Sequence, residues 1–121
     1  MAVIQRAAGG ATGRSSGSAY GDLVWAVATC PDKSVKDVEG QTRATLAAID
    51  RHLAALGSGK DRLINATVYV TDIARKAEMD KAWNEWIGPD PANWPQRACI
   101  GVALAPGDLV EIVVIAARHS G

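Results

Sequence analysis

PQRACIGVALAPGDLVEIVVIAA, residues 95–117, is the stretch whose reading decides the fold. Two apolar runs, RACIGVAL and DLVEIVVIAA, flank the turn signal APGD, which predicts two strands joined as a hairpin. In the first run Ala98, Ile100, Val102 and Leu104 share one face, the expected seat for packed helices. Arg97, Cys99, Gly101 and Ala103 share the other. The second run is apolar both ways, with Val110, Ile112 and Val114 on one face and Leu109, Val113 and Ile115 on the other. Past Asp108 at the turn, its one charge is Glu111. A charge in so apolar a strand is costly unless it is paired or meets a ligand.

Loop parity governs whether Glu111 and Arg97 cooperate. An odd turn over 105–107 puts Arg97, Cys99 and Glu111 on one face, with Arg97 and Glu111 about 13 Å apart at Cα, a spacing for a small molecule rather than an ion pair. An even turn puts them on opposite faces, and Gly107 allows either. Arginine suits a carboxylate ligand because its planar fork makes two parallel hydrogen bonds and stays charged. Glutamate can orient a water or exchange a proton. Cys99 has no histidine near it in sequence to activate it, so it reads as a small neutral wall.

Upstream, DVEGQTRATLAAIDRHLAALG repeats apolar or small residues at Val38, Thr42, Leu46, Ile49, Leu53 and Leu56, one helical stripe. Asp37 is its expected N-cap and Gly57 its C-cap. DLVWAVATC and RLINATVYVTD read as strands, and residues 75–87 as a second helix with Met79, Ala82, Trp83, Trp86 and Ile87 on one side. GPDPANWP ends that helix, because proline cannot continue it. The fold class is therefore α+β, a mixed sheet with two helices on one face. Two helices cover only one face of such a sheet, and the apolar remainder predicts contact with a second copy of the chain.

A chain of 121 residues makes one domain, 1–121, with residues 1–13 a flexible N-terminal arm and the Ala-, Gly- and Ser-rich stretch 7–18 an arm or edge segment. With 13 basic and 13 acidic residues, the net charge of zero argues against a nucleic-acid surface. No segment has the apolar length of a membrane helix or of a signal peptide, and the two cysteines and two histidines suggest neither a disulfide framework nor a metal site. A cytoplasmic protein without metal is expected. Trp25, Trp83 and Trp86 are expected in the core or a subunit contact. Trp94 is a candidate ligand contact, Asp72 a cap, and His52 and Asp50 are expected in solvent.

These segments together resemble the RidA family (YjgF/YER057c/UK114), the reactive imine and enamine deaminases. SGSAYGDLVWAVAT, the QT…L..ID..L helix, MDKAWNEW and the P.R…V…L…..VEI segment carry the resemblance, from Arg14 onward. It implies a chorismate-mutase-like α+β fold, a homotrimer with ligand clefts between subunits, and no cofactor. It also implies hydrolysis of 2-imino and 2-enamino acids such as 2-aminoacrylate to 2-keto acids and ammonia. Arg97 matches the family arginine that holds the substrate carboxylate, Cys99 the cysteine beside it, and Glu111 the glutamate associated with the attacking water. Ala28, Thr29 and Trp94 fall at further substrate-contact positions. The chain departs from the deaminase pattern in three places: Val27-Ala28 or Ala28-Thr29 replaces a Ser-Gly pair, Arg14 falls near the expected tyrosine, and Asp80 replaces a frequent asparagine. Two other readings stand beside the deaminase: a trimeric small-carboxylate binding protein without turnover, and an RNA-cleaving or translation-inhibiting relative.

Overall fold

Residues 3–119 are described by a computed structural model. Six strands, β1 (Gln5–Ala7), β2 (Gly17–Tyr20), β3 (Leu23–Thr29), β4 (Leu63–Val70), β5 (Gln96–Gly101) and β6 (Val110–Ala117), form one sheet with two helices, α1 (Val38–Ala55) and α2 (Lys76–Ile87). The strand order is β1-β2-β3-β6-β4-β5. The α+β class holds.

The stripe read from the sequence makes α1. The Asp37 carboxylate accepts from the Gly40 N–H at 2.8 Å and satisfies one orphan donor of the first turn. Leu56 is the C-cap, and Gly57 follows it at φ 79°, a left-handed turn that costs glycine nothing. Leu46, Ile49 and Leu53 are fully buried against the sheet, and each contributes about 1.5–3 kcal/mol. Met79, Trp83 and Ile87 bring α2 onto the same face and into the same core. The sheet side of that core is Val24 and Ala26 of β3, Val68 of β4, and Ile112 and Val114 of β6.

The hairpin expected at residues 95–117 is not formed. The turn exists, with Gly107 at φ 88° and the Asp108 N–H donating to the Ala105 carbonyl at 3.0 Å. Yet β5 and β6 do not pair. β4 lies between them, parallel to β5 and antiparallel to β6. A parallel pair needs a long crossover, and α2 with its flanking turns supplies it. β6 instead returns to the middle of the sheet, between β3 and β4, where Val110, Ile112 and Val114 are buried under the helices and Val113 and Ile115 stay half-buried on the outer face.

The faces of β5 are also the reverse of the expectation. Arg97 and Cys99 sit beside the fully buried Ala66 and Val68, so they face the helices. Ala98 and Ile100 point outward, and the strand stops at Gly101, before Val102 and Leu104. Register with β4 sets the face, not the apolar count of β5 alone. The outer face is apolar across the sheet: Trp25 is 37% exposed and Ile100 42%, with Val113 and Ile115 half-buried between them. The expectation of an uncovered apolar face holds for one chain.

The arm expected over residues 1–13 contains structure. β1 pairs antiparallel with β2, Gln5 opposite Ala19 and Ala7 opposite Gly17, and the Ser16 N–H closes the intervening loop on the Ala7 carbonyl at 3.0 Å. Backbone pairing along the sheet edge needs no apolar side chains, which is why composition alone misread the segment. Met1 and Ala2, the first residues of that expected arm, lie outside the described residues. Among the described residues, no helix is long and apolar enough to cross a membrane.

Candidate functional site

β2 covers β3 only as far as Ala26, which stands opposite Gly17. One more bond, from the Val27 N–H to the Ser16 carbonyl at 3.0 Å, ends the contact. Thr29, two residues on, directs its amide along the same edge, beyond the reach of β2. Here the sheet edge opens into a cleft of about 800 Å³ between β3, the β1–β2 loop, α1 and the turn before β6. Ala28, Thr29 and Glu111 line it together, and Glu111 stands directly opposite Thr29 in the β3–β6 register.

Other walls of the cleft are basic or hydroxylic. Arg14 and Ser15 come from the β1–β2 loop, and Arg51 and His52 from α1. Burial, then the neighbouring Arg51 charge, pushes the His52 imidazole below its ordinary range, so it is neutral at pH 7. His52 was expected in solvent beside Asp50. Instead it lines the cleft, while Asp50 accepts from the Trp86 indole at 3.0 Å. Lys33 also reaches the cleft but is committed to Asp108 and to the Cys30 carbonyl. The fully buried Gln41 fixes this wall: its amide donates to the Gly107 and Val35 carbonyls, both at 2.9 Å, and accepts from the Leu109 N–H at 2.8 Å.

Arg97 is elsewhere. Its guanidinium lies over the Trp83 ring at 5.2 Å, with one nitrogen 2.6 Å from Asp80 and another 3.7 Å from the Met79 sulfur. Asp80 also receives Lys76 at 2.7 Å. Burial works to raise the Asp80 carboxyl, but the hydrogen bonds from Lys76 and Arg97 outweigh it and hold the group below its ordinary range. The cluster therefore carries two cations and one anion, a net single positive charge. Cys99 lies beside it, its thiol pushed up by burial more than the Arg97 and Lys76 charges draw it down, which leaves it protonated. Trp94 is 54% exposed, and its indole donates to the Gly88 carbonyl, so it contacts neither the cleft nor Arg97.

The six residues singled out from the sequence thus fall into three places. Ala28, Thr29 and Glu111 share the cleft; Arg97 and Cys99 face the helices; Trp94 sits on the surface. Arg97 and Glu111 lie on opposite faces, two strands and three residues apart, about 14 Å at Cα. No small molecule bridges them within one chain. Arg51, His52 and Gln41 were missed as site residues. Gln41 left a signal, a polar side chain inside an otherwise buried helical stripe; Arg51 and His52 left none, because only the packing of α1 against β3 aims them. Among the described residues no group of His, Cys, Asp and Glu could hold a metal ion.

Comparisons with known proteins agree with this architecture. The family model described as Endoribonuclease L-PSP matches residues 21–118. A RutC family protein of Haemophilus ducreyi is 39% identical over 99 residues, 81% of this chain and 83% of that protein. The crystal structure of NMB1025 of Neisseria meningitidis, a member of the YjgF protein family, matches with a TM-score of 0.89 at 29% identity over 98% of each chain. Escherichia coli TdcF, named provisionally as a reactive intermediate deaminase, is 29% identical over 122 residues, 96% of this chain and 95% of its own. Its crystal structure with bound serine matches at a TM-score of 0.83 over 94% of each chain.

Proposed function

Because this chain belongs to the RidA (YjgF/YER057c/UK114) family, we propose that it hydrolyses reactive 2-imino and 2-enamino acids of the 2-aminoacrylate type to 2-keto acids and ammonia. The observation that carries the reading is the Glu111 carboxylate in a cleft at the open edge of β3, beside Thr29. The enamine tautomerises to the imine, whose C2 is electrophilic. Glu111 takes a proton from water as the oxygen adds to C2 and passes it to the imine nitrogen, giving a carbinolamine. The hydroxyl proton then moves through Glu111 to the amine as the C2–N bond breaks, which leaves the C2=O of the keto acid and free ammonia. Positioning supplies most of the rate, and no cofactor is required. The name of TdcF and its bound serine, a small amino acid, support this substrate class.

The carboxylate grip is assigned to Arg97, with Cys99 beside it, but of a neighbouring copy. Arg97 lies on the edge strand β5, and the cleft lies at β3 on the other side of β6 and β4. A contact that brings the β5 margin of one copy to the β3 cleft of the next joins two different surfaces. Such head-to-tail contacts close into rings rather than two-fold dimers, which favours the homotrimer with clefts between subunits. The uncovered outer face supplies the apolar area for that assembly.

The test is semicarbazone formation from imino acids produced by an amino-acid oxidase. Wild-type protein should divert the imine to keto acid before semicarbazide traps it, and Arg97→Ala and Glu111→Gln should not. Equal trapping with wild-type protein and both variants, each confirmed folded by circular dichroism, overturns the proposal. A second reading, carboxylate binding without turnover, is favoured by the Asp80 contact that already occupies Arg97. In that case small carboxylates raise the melting temperature while no imine is consumed.

A further inference from the structure

We infer that the cleft holds a second anion subsite, formed by Arg14 and Arg51, that selects 2-imino acids carrying a distal carboxylate. The inference rests on the hydrolase reading for the location of the reacting carbon, near Glu111. Three observations support it. First, the cleft is large for a three-carbon acid: about 800 Å³ lies within the range, roughly 300–1,000 Å³, that takes a drug-sized ligand. Space remains beyond any atom held between Glu111 and Thr29.

Second, that space is lined by uncommitted positive charge. Lys33 is neutralised by Asp108, but among the described residues neither Arg14 nor Arg51 has a carboxylate partner. Glu111 is the acidic group left to balance them, and it stands on β6. The cleft is therefore polarised, acidic at the sheet and basic at the loop and helix.

Third, both arginines are presented by constrained backbone. Arg51 lies one helical turn after the buried Ala48, on the same side of α1, and both residues line the cleft. Arg14 follows Gly13, which takes φ 87°, in the loop closed by the Ser16–Ala7 bond. Gly9 packs so close to the Arg14 carbonyl that an added Cβ would lie 2.8 Å from that oxygen. The loop thus holds Arg14 at the cleft mouth.

A substrate of four or five carbons with a carboxylate at each end fits this arrangement. One carboxylate meets Arg97 of the neighbouring copy, C2 lies at Glu111, and the distal carboxylate meets Arg14 and Arg51. The distal group takes no part in bond changes; water and imine still give keto acid and ammonia.

Two measurements test this, with 2-oxoglutarate and 2-oxobutyrate binding followed by calorimetry, and hydrolysis of the imines made by oxidising glutamate and 2-aminobutyrate followed by semicarbazide trapping. Wild-type protein should favour the dicarboxylate by about tenfold or more, the scale of a charged hydrogen-bonded contact. Arg51→Ala and Arg14→Gln should collapse that preference, while Arg62→Ala, an equal charge change outside the cleft, should leave it intact. A preference for 2-oxobutyrate, or a dicarboxylate preference equal in wild type and both cleft variants, overturns the subsite. Preferential 2-oxoglutarate binding without hydrolysis of either imine keeps the subsite and overturns the hydrolase reading. Hydrolysis of the monocarboxylate imine without dicarboxylate preference does the opposite.

Discussion

Arg97 shows how much a single side chain's neighbours decide. Stacked on Trp83 and bonded to Asp80, it is 18% exposed at the side chain and already shares its charge. An incoming carboxylate competes with Asp80, and a part-exposed ion pair of this kind is worth about 0.2–1 kcal/mol. Asp80→Asn should therefore tighten 2-oxobutyrate binding by about two- to fivefold, read by calorimetry at pH 7. The same carboxyl has a pH signature. Its folded pKa is depressed, so its stabilising contribution is complete above the unfolded value, about 3.9, and is lost as pH falls through the lower folded value. The melting-temperature gap between wild type and Asp80→Asn should shrink from pH 6 to pH 2. A gap independent of pH would mean the ion pair does not form in solution.

Among the elements, α1 does two jobs with two faces. Its apolar stripe seats it on the sheet, and that stripe was legible from periodicity because burial repeats with the helical turn. Its Gln41 ties the turn at residues 105–109 to the helix by two hydrogen bonds, and a third holds the Val35 carbonyl before α1, so that it fixes one wall of the cleft. Gln41→Leu leaves the Gly107 carbonyl and the Leu109 N–H without that partner, and should lower stability by about 1–3 kcal/mol in urea titration. Asp37→Ala removes only the cap and should cost about 1 kcal/mol. An equal effect of the two changes would deny Gln41 its role in the turn. β5 is the contrasting element. Its apolar alternation was visible, but its partner and its face were not, since a strand's inward side depends on the strand beside it.

At the scale of the whole molecule, the separation of Arg97 from Glu111 is the decisive fact. If neighbouring copies share each site, mixing Arg97→Ala with Glu111→Gln chains restores some intact sites. Random ring assembly from equal parts gives half times half, about a quarter of wild-type activity, from two inactive proteins. No recovery after co-refolding would place the whole site within one chain or deny the assembly. The outer face gives a second measurement. Val113→Lys sets a charge in the half-buried middle of that face, and should reduce the mass found by light scattering to that of a monomer while the far-ultraviolet spectrum is kept.

By itself the sequence determined the element types from β3 onward, the helical stripe of α1, the α+β class and the presence of an apolar face that one chain leaves open. These follow from local periodicity and from the cost of exposing apolar surface. Ala28, Thr29 and Glu111, candidates in the sequence, line one cleft, although the hairpin that was to unite Glu111 with Arg97 was not formed. Only the tertiary structure decided that β4 inserts between β5 and β6, that Arg97 turns to the helices, and that Arg14, Arg51 and His52 meet across a cleft. Pairing between strands distant in sequence is chosen by the summed burial of the whole sheet, and no short stretch carries that sum.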